Sequence, residues 1–185
     1  NKEFITAKNK IKYENDIPEC LLNARKNNKP VILVSGHFGQ WEAVRIMLKK
    51  NGFETGAIYR KNKNPFFESM YLKNIRLGGE PIFPAGLAGT KRMIKHLKSG
   101  GILALLLDQA VSDGDDFKFF GLKAKTSMAI AELALKYNAS IVPCYGIREQ
   151  DGLSIRVIFE DPIKDDSPRN IIQSINDSLE ARVRT

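Results

Sequence analysis

The sequence is poor in the residues that most often announce a chemistry. Its two cysteines, Cys20 and Cys144, stand far apart and in no metal-ligand spacing. That argues against a disulfide framework or a zinc site and favours a reducing compartment. No apolar run approaches the roughly 20 residues that span a bilayer. No secretory leader is visible, and the first residue is Asn, so the expectation is a fragment whose missing start carried a targeting or anchoring segment. No Gly-x-Gly-x-x-Gly is present, and Gly86-Leu87-Ala88-Gly89-Thr90-Lys91 has the wrong glycine spacing and Thr-Lys order for a P-loop. A Gly-x-Ser-x-Gly elbow is also missing, and Ser35 stands too close to His37 for a hydrolase triad. Repeats and low-complexity tracts are absent.

What is present is an ordinary globular composition with an unusual charge. The chain has 185 residues, 43% of them hydrophobic, and is expected to form one domain over 1–185 with a sizeable core. The net charge of +8 points to an acidic partner: nucleic acid, an anionic membrane surface or an acidic protein. Nucleic acid has only the charge in its favour, since no recognition helix or aromatic-and-basic sheet signature stands out.

Hydrophobic patterning alternates between strands and helices. A helix is expected over 17–25, with Pro18 in its first turn. A β-branched strand follows over 31–35, then a helix over 43–50 ended by Asn51-Gly52. Strands are expected over 54–59 and 81–83, with the basic loop 60–65 after the first. Phe66, Phe67, Met70, Tyr71, Asn74 and Ile75 recur at helical spacing, which fits core packing, an acyl channel wall or a lipid contact. The segment 89–98 reads as a helix with Met93, Ile94 and Leu97 inward and Lys91, Arg92, Lys95 and Lys98 outward. His96, near its end, reads as structural, its imidazolium complementing the helix dipole. The continuous apolar run 102–107 reads as a strand buried on both faces. A loop over 110–121 and a helix over 125–138 come next, and Asp113, Asp115 and Asp116 read as solvated loop residues rather than a metal site. Strands over 140–147 and 154–159 are joined through Asp151-Gly152, a hairpin signal, and a helix over 170–184 closes the chain. This order predicts an α/β fold with a mostly parallel central sheet flanked by helices and a late antiparallel hairpin.

The stretch Ser35-Gly36-His37-Phe38-Gly39-Gln40-Trp41-Glu42 joins the first buried strand to a helix. Ligands of open α/β sheets bind at such carboxyl ends of strands. On one regular helix, residues five apart point about 140° from each other. With His37 in the turn and Glu42 in the first helical turn, the two can converge. A carboxylate on one imidazole nitrogen then fixes the tautomer and frees the other as a general base. The plain alternative is a loop histidine beside a helix whose first turn carries a glutamate for the dipole. Gly36 and Gly39 allow the tight turn and leave room for substrate beside the ring. Arg60 and Asp108-Gln109 also follow strands, and all of these emerge on one edge if the strands are parallel. Arg60 then binds a phosphate or carboxylate, or stabilises a developing negative charge, unless it is a plain surface residue. Asp108 holds a backbone turn or orients Arg60.

Several of these blocks together resemble the lipid A late acyltransferases, the lauroyl and myristoyl transferases of the lysophospholipid acyltransferase superfamily. Gly36-His37-Phe38-Gly39-Gln40-Trp41-Glu42 resembles their His-x4-Glu block, and Tyr59-Arg60-Lys61-Asn62-Lys63-Asn64-Pro65 their arginine ahead of Asn-Pro. Leu107-Asp108-Gln109 with Phe119-Phe120-Gly121 and Thr126 resembles a third block, and Ile141-Val142-Pro143 the strand after it. The resemblance spans about residues 17–184 in preserved order. It implies a glycerolipid-acyltransferase-like fold and acyl transfer to a hydroxyl of a lipid A precursor. The donor is a thioester of acyl-carrier protein or CoA, with no bound cofactor or metal. His37 and Glu42 are implied as the catalytic dyad, and Arg60, Asp108, Gln109, Gly39 and Asn64 as substrate-binding residues. The implied partners are acyl-carrier protein, an anionic lipid surface and the lipid acceptor, with no nucleic acid. The implied place is the cytoplasmic face of a bacterial inner membrane. Family members usually carry an N-terminal membrane-associated helix and a C-terminal tryptophan-and-arginine-rich segment, which this sequence lacks. Gln40 stands where the family often has Asn. Acylation of mannoside lipids or lysophospholipids is the nearest alternative. Phe83-Pro84-Ala85-Gly86 lacks the glutamate of the glycerol-phosphate acyltransferases. A non-catalytic module binding anionic lipid or nucleic acid is the alternative from another class.

Overall fold

In a computed structural model, the structure describes residues 11–13 and 16–184. These residues build a seven-stranded sheet in the order β1-β9-β8-β2-β5-β3-β4. Its strands are β1 (Ile11–Tyr13), β2 (Val31–Ser35), β3 (Thr55–Tyr59), β4 (Ile82–Pro84), β5 (Ile102–Leu106), β8 (Ser140–Arg148) and β9 (Ile155–Phe159). Five neighbouring pairs are parallel. Only the β8–β9 hairpin is antiparallel. The expected fold, mostly parallel with a late hairpin, is the one observed.

The middle of the sheet is dictated by β2. All five of its residues are buried, as a strand covered on both faces requires. Its side chains alternate, and the alternation assigns each face its helices. Val31 and Leu33 pack with α1 (Glu19–Asn27) and α2 (Trp41–Lys50) through Leu21, Val44 and Leu48. Ile32 and Val34 pack on the other face with α4 (Leu87–Lys98), α5 (Ala129–Tyr137) and α6 (Pro168–Val183) through Leu97, Ala134 and Ile172. Burying each such Val, Leu or Ile side chain contributes about 1.5–3 kcal/mol. The helix between β3 and β4, α3 (Pro65–Ile75), belongs to neither layer; Ile75 is its one buried residue.

Two expectations fail between β5 and α5. The span read as a loop over 110–121 contains β6 (Asp115–Phe119), and the helix expected from 125 starts at Ala129 because Leu122–Thr126 is β7. The two strands form a separate antiparallel hairpin with Phe117 opposite Ala124. Their turn, Phe120-Gly121, takes positive φ at both residues. This is the geometry of a tight hairpin turn, but Phe is not a residue that announces it. The last helix supplies the missing support: Gln173 and Asn176 bond the backbone of Lys118, and the Glu180 carboxylate accepts from the Phe120 N–H. Asp115 and Asp116 therefore begin a strand, and Asp116 pairs with Lys125 at 3.0 Å instead of standing in a solvated loop. Its carboxyl is held below the usual range by that hydrogen bond and charge.

His96 is structural, as expected, but not as a helix-end cation. Its ring lies beside Phe83, and its Nε2 is 3.2 Å from the Ile102 carbonyl. Burial lowers its pKa, which favours the neutral ring. Cys20 and Cys144 are both free thiols. Among the described residues, no helix is long and apolar enough to cross a membrane.

Candidate active site

The register of the central strands builds the site. Strands β2 and β5 run parallel with Val31 beside Ile102 and Ser35 beside Leu106. Leu107 continues the ladder past the strand ends by donating its N–H to the Ser35 carbonyl. Two residues further along each chain, His37 and Asp108 face each other. The His37 backbone N–H donates to Asp108 Oδ2 at 2.6 Å, and its Nδ1 lies 2.7 Å from Asp108 Oδ1. An ionised carboxylate only accepts, so Nδ1 carries the proton and Nε2 is left with a free lone pair. Both carboxylate oxygens are thus committed to one residue, fixing the ring's position and its tautomer.

This corrects the expected pairing. Glu42 sits in the first turn of α2, as anticipated, but its carboxylate accepts from Arg45 Nη1 at 3.1 Å. Asp108, anticipated as a turn holder or a partner for Arg60, is the acid on the imidazole. Trp41 presents its ring edgewise to His37, with centroids 5.5 Å apart.

His37 opens into a cleft of about 530 Å³ at the carboxyl ends of β2, β5 and β3. That size suits a sizeable organic ligand. Its mouth carries His37, Glu42, Arg60 and Gln109, and its interior is largely apolar, with Leu33, Val44, Ala57 and Cys144 among the buried lining and Ser35 and Arg45 as its buried polar members. Arg60 is exposed on the rim, and no acid among the described residues pairs with it. The structure therefore brings together His37, Glu42, Arg60 and Gln109 in one cavity, with Asp108 behind the imidazole.

Gly39 and Asn64 do other work. Gly39 has φ +58°, and a Cβ there would strike the Gly146 carbonyl of β8, which accepts from Gln40 N at 2.7 Å. The glycine lets the turn press its backbone onto β8; the room it leaves is filled by protein and not by the cleft. Gly36 is constrained too, since a Cβ would lie 2.8 Å from Leu179 Cδ1 and 3.3 Å from Asp108 Cγ. Asn64 caps α3, its side chain accepting from the backbone N–H groups of Phe66 and Phe67, and it does not line the cleft.

Arg45 was not anticipated. It is 4% exposed, yet it lines the cleft and joins three segments. Nη1 donates to Glu42 and to the Ile75 carbonyl, and Nη2 to the carbonyls of Thr55 and Gly79. Burial pulls its pKa down, against the raising charge of Glu42; burial pushes Glu42 up, against the lowering charge of Arg45. The signal was the Glu42–Arg45 spacing of three on one helix. Tyr71 of α3 also lines the cleft and lies against Tyr59.

An imidazole held by a carboxylate, an arginine with no acid beside it among the described residues and a largely apolar cavity meet at the carboxyl edge of a parallel sheet, where α/β proteins bind their ligands. The family model for bacterial lipid A biosynthesis acyltransferases matches residues 6–185, and the chain belongs to that family. Among curated proteins no match is found.

Proposed function

We propose that the protein moves a fatty acyl chain from a thioester, carried by acyl-carrier protein or CoA, to a hydroxyl of a lipid A precursor at the cytoplasmic face of a bacterial inner membrane. The free Nε2 of His37 at the mouth of an apolar cleft carries this reading. Nε2 takes the proton of the acceptor hydroxyl while its oxygen attacks the thioester carbonyl. The tetrahedral adduct collapses with cleavage of the C–S bond, and the imidazolium returns its proton to the departing thiolate. An ester and a thiol result, and no acyl-enzyme is needed. Asp108 keeps Nδ1 protonated and steadies the imidazolium. Glu42, the acid of the His-x4-Glu spacing, fixes Arg45 and forms the adjoining cleft wall. Arg60 holds the thioester oxygen as it gains charge, or an acceptor phosphate. The acyl chain lies along Leu33, Val44 and Ala57.

The deciding experiment is incubation with radiolabelled acyl-carrier protein and a lipid A precursor, followed by separation of the lipid products. Labelled product that disappears with His37→Ala supports the proposal. Undiminished turnover by that variant rejects the assignment of the base.

A further inference from the structure

One helix has no place in the core. Only Ile75 of α3 is buried, while Phe66 is 86% exposed and Met70 54%. An isolated helix of this length is marginal in water, and helices normally gain their stability from an apolar face packed on something else. What holds α3 is its Asn64 cap, the hydrogen bonds of Glu68 to Tyr59 and Asn62, the contact of Tyr71 with Tyr59 and the buried Ile75. Its outer side presents Phe66, Met70 and part of Phe67 with nothing among the described residues to cover them.

The neighbouring charge indicates what does cover them. Glu68 is the acid of this helix, and it is turned onto the preceding loop, accepting from the Tyr59 hydroxyl and the Asn62 N–H, each at 2.8 Å. The loop is pinned in place, and Lys61 and Lys63 remain exposed beside Arg60. Next to it, Ala85 donates its N–H to the Tyr59 carbonyl, bringing alongside the start of α4, where Leu87 is 75% exposed. Aromatic and aliphatic side chains rimmed by lysines match the head-group region of an anionic bilayer. All of this lies by the carboxyl ends of β3 and β4, on the side of the cleft lined by Tyr59, Arg60, Tyr71 and Ala85.

We propose that α3 and the loop before it are the surface on which the protein sits on an anionic lipid bilayer, with the cleft mouth turned to the head groups. The choice of a lipid surface rests on the reading of the acceptor as a membrane lipid; the test does not involve turnover. Phe66 and Met70 enter the interface, and Lys61 and Lys63 meet lipid phosphates.

The test is co-sedimentation with vesicles of phosphatidylglycerol and phosphatidylcholine, compared with phosphatidylcholine alone. Wild-type protein binds the anionic vesicles, less so as salt is raised. Phe66→Ser/Met70→Ser and Lys61→Glu/Lys63→Glu each lower partitioning at least about tenfold. Lys26→Glu/Lys29→Glu makes the same charge change at the opposite, amino edge of the sheet, and leaves binding within about twofold. Thermal unfolding of each variant matches wild type, because the altered side chains are exposed. The proposal is overturned if wild type does not bind, if the Lys26 and Lys29 variant loses as much as the Lys61 and Lys63 variant, or if the Phe66 and Met70 variant binds undiminished. It is equally overturned if sedimentation without lipid shows a dimer that the Phe66 and Met70 variant abolishes, since a second copy then covers the helix. His37→Ala retains vesicle binding, so loss of the catalytic reading and loss of this one are separable.

Discussion

His37 and Asp108 are 71 positions apart in the chain and 2.7 Å apart in space, and the same offset of 71 runs through every pair of the β2–β5 ladder. The contact is the ladder's register carried two residues beyond the last strand pair. A shift of that register by one residue would reverse the faces of a strand buried on both sides, so core packing and site geometry are fixed by the same alignment.

Asp108→Asn keeps the shape of the side chain but lets its amide donate toward Nδ1, favouring the wrong tautomer. The expected loss is about 10²–10⁴-fold in kcat with little change in KM. Steady-state kinetics with an acyl thioester donor read it directly. Glu42→Gln should lose less than Asp108→Asn; the reverse order would return the role of orienting His37 to Glu42.

Glu42 also makes a pH prediction. Burial raises its pKa above the ordinary value of 4.5, so across that window the folded protein holds a proton the unfolded chain has released. Its contribution to stability is fully present below the ordinary value and is lost as pH rises through the raised one. Denaturant unfolding from pH 4 to pH 8 should show a less negative slope of stability against pH in Glu42→Gln than in wild type. Identical slopes would mean that the carboxyl is not raised by its surroundings.

Arg45→Leu fits the volume but strands the carbonyls of Thr55, Ile75 and Gly79 and leaves Glu42 without its cation. Removing one partner from such a buried network costs about 3–5 kcal/mol. Urea unfolding midpoints measure it, and a loss below about 1 kcal/mol would show that the network contributes only what an exposed ion pair does.

Gly39→Ala combines a positive φ with a collision against the Gly146 carbonyl. It should destabilise the protein by about 1–3 kcal/mol and lower kcat as well, because the turn that carries His37 must move off β8. Unchanged activity in a well-folded Gly39→Ala protein would show that the turn does not set the position of the base.

Arg60→Lys separates two roles of the rim cation. Raised KM at constant kcat indicates uniform binding of an acceptor phosphate, whereas a fall in kcat indicates charge stabilisation in the transition state. A variant matching wild type in both constants removes Arg60 from the site.

The sequence by itself determined whatever depends on near neighbours in the chain. The buried run 31–35, the glycine-flanked turn and the amphipathic segment after it specify a strand, a turn and a helix, because side-chain period and turn chemistry act over a few residues. They place His37 at a strand's carboxyl end, and the parallel sheet sets Arg60 and Gln109 on the same edge. The tertiary structure decided which strands became neighbours, and with that which carboxylate meets the imidazole. Strand β5 returns between β2 and β3, so His37 faces Asp108, while Glu42, only five residues away, is drawn to Arg45. The hairpin β6–β7 was hidden for a related reason: its turn uses Phe120 at positive φ and depends on α6, which comes much later in the chain. The spacing of Phe66, Met70 and Ile75 likewise announces a helix with an apolar side, but packing alone settled that Ile75 is buried while Phe66 and Met70 stay outside the core. Periodicity is local, whereas burial is a property of the assembled layers.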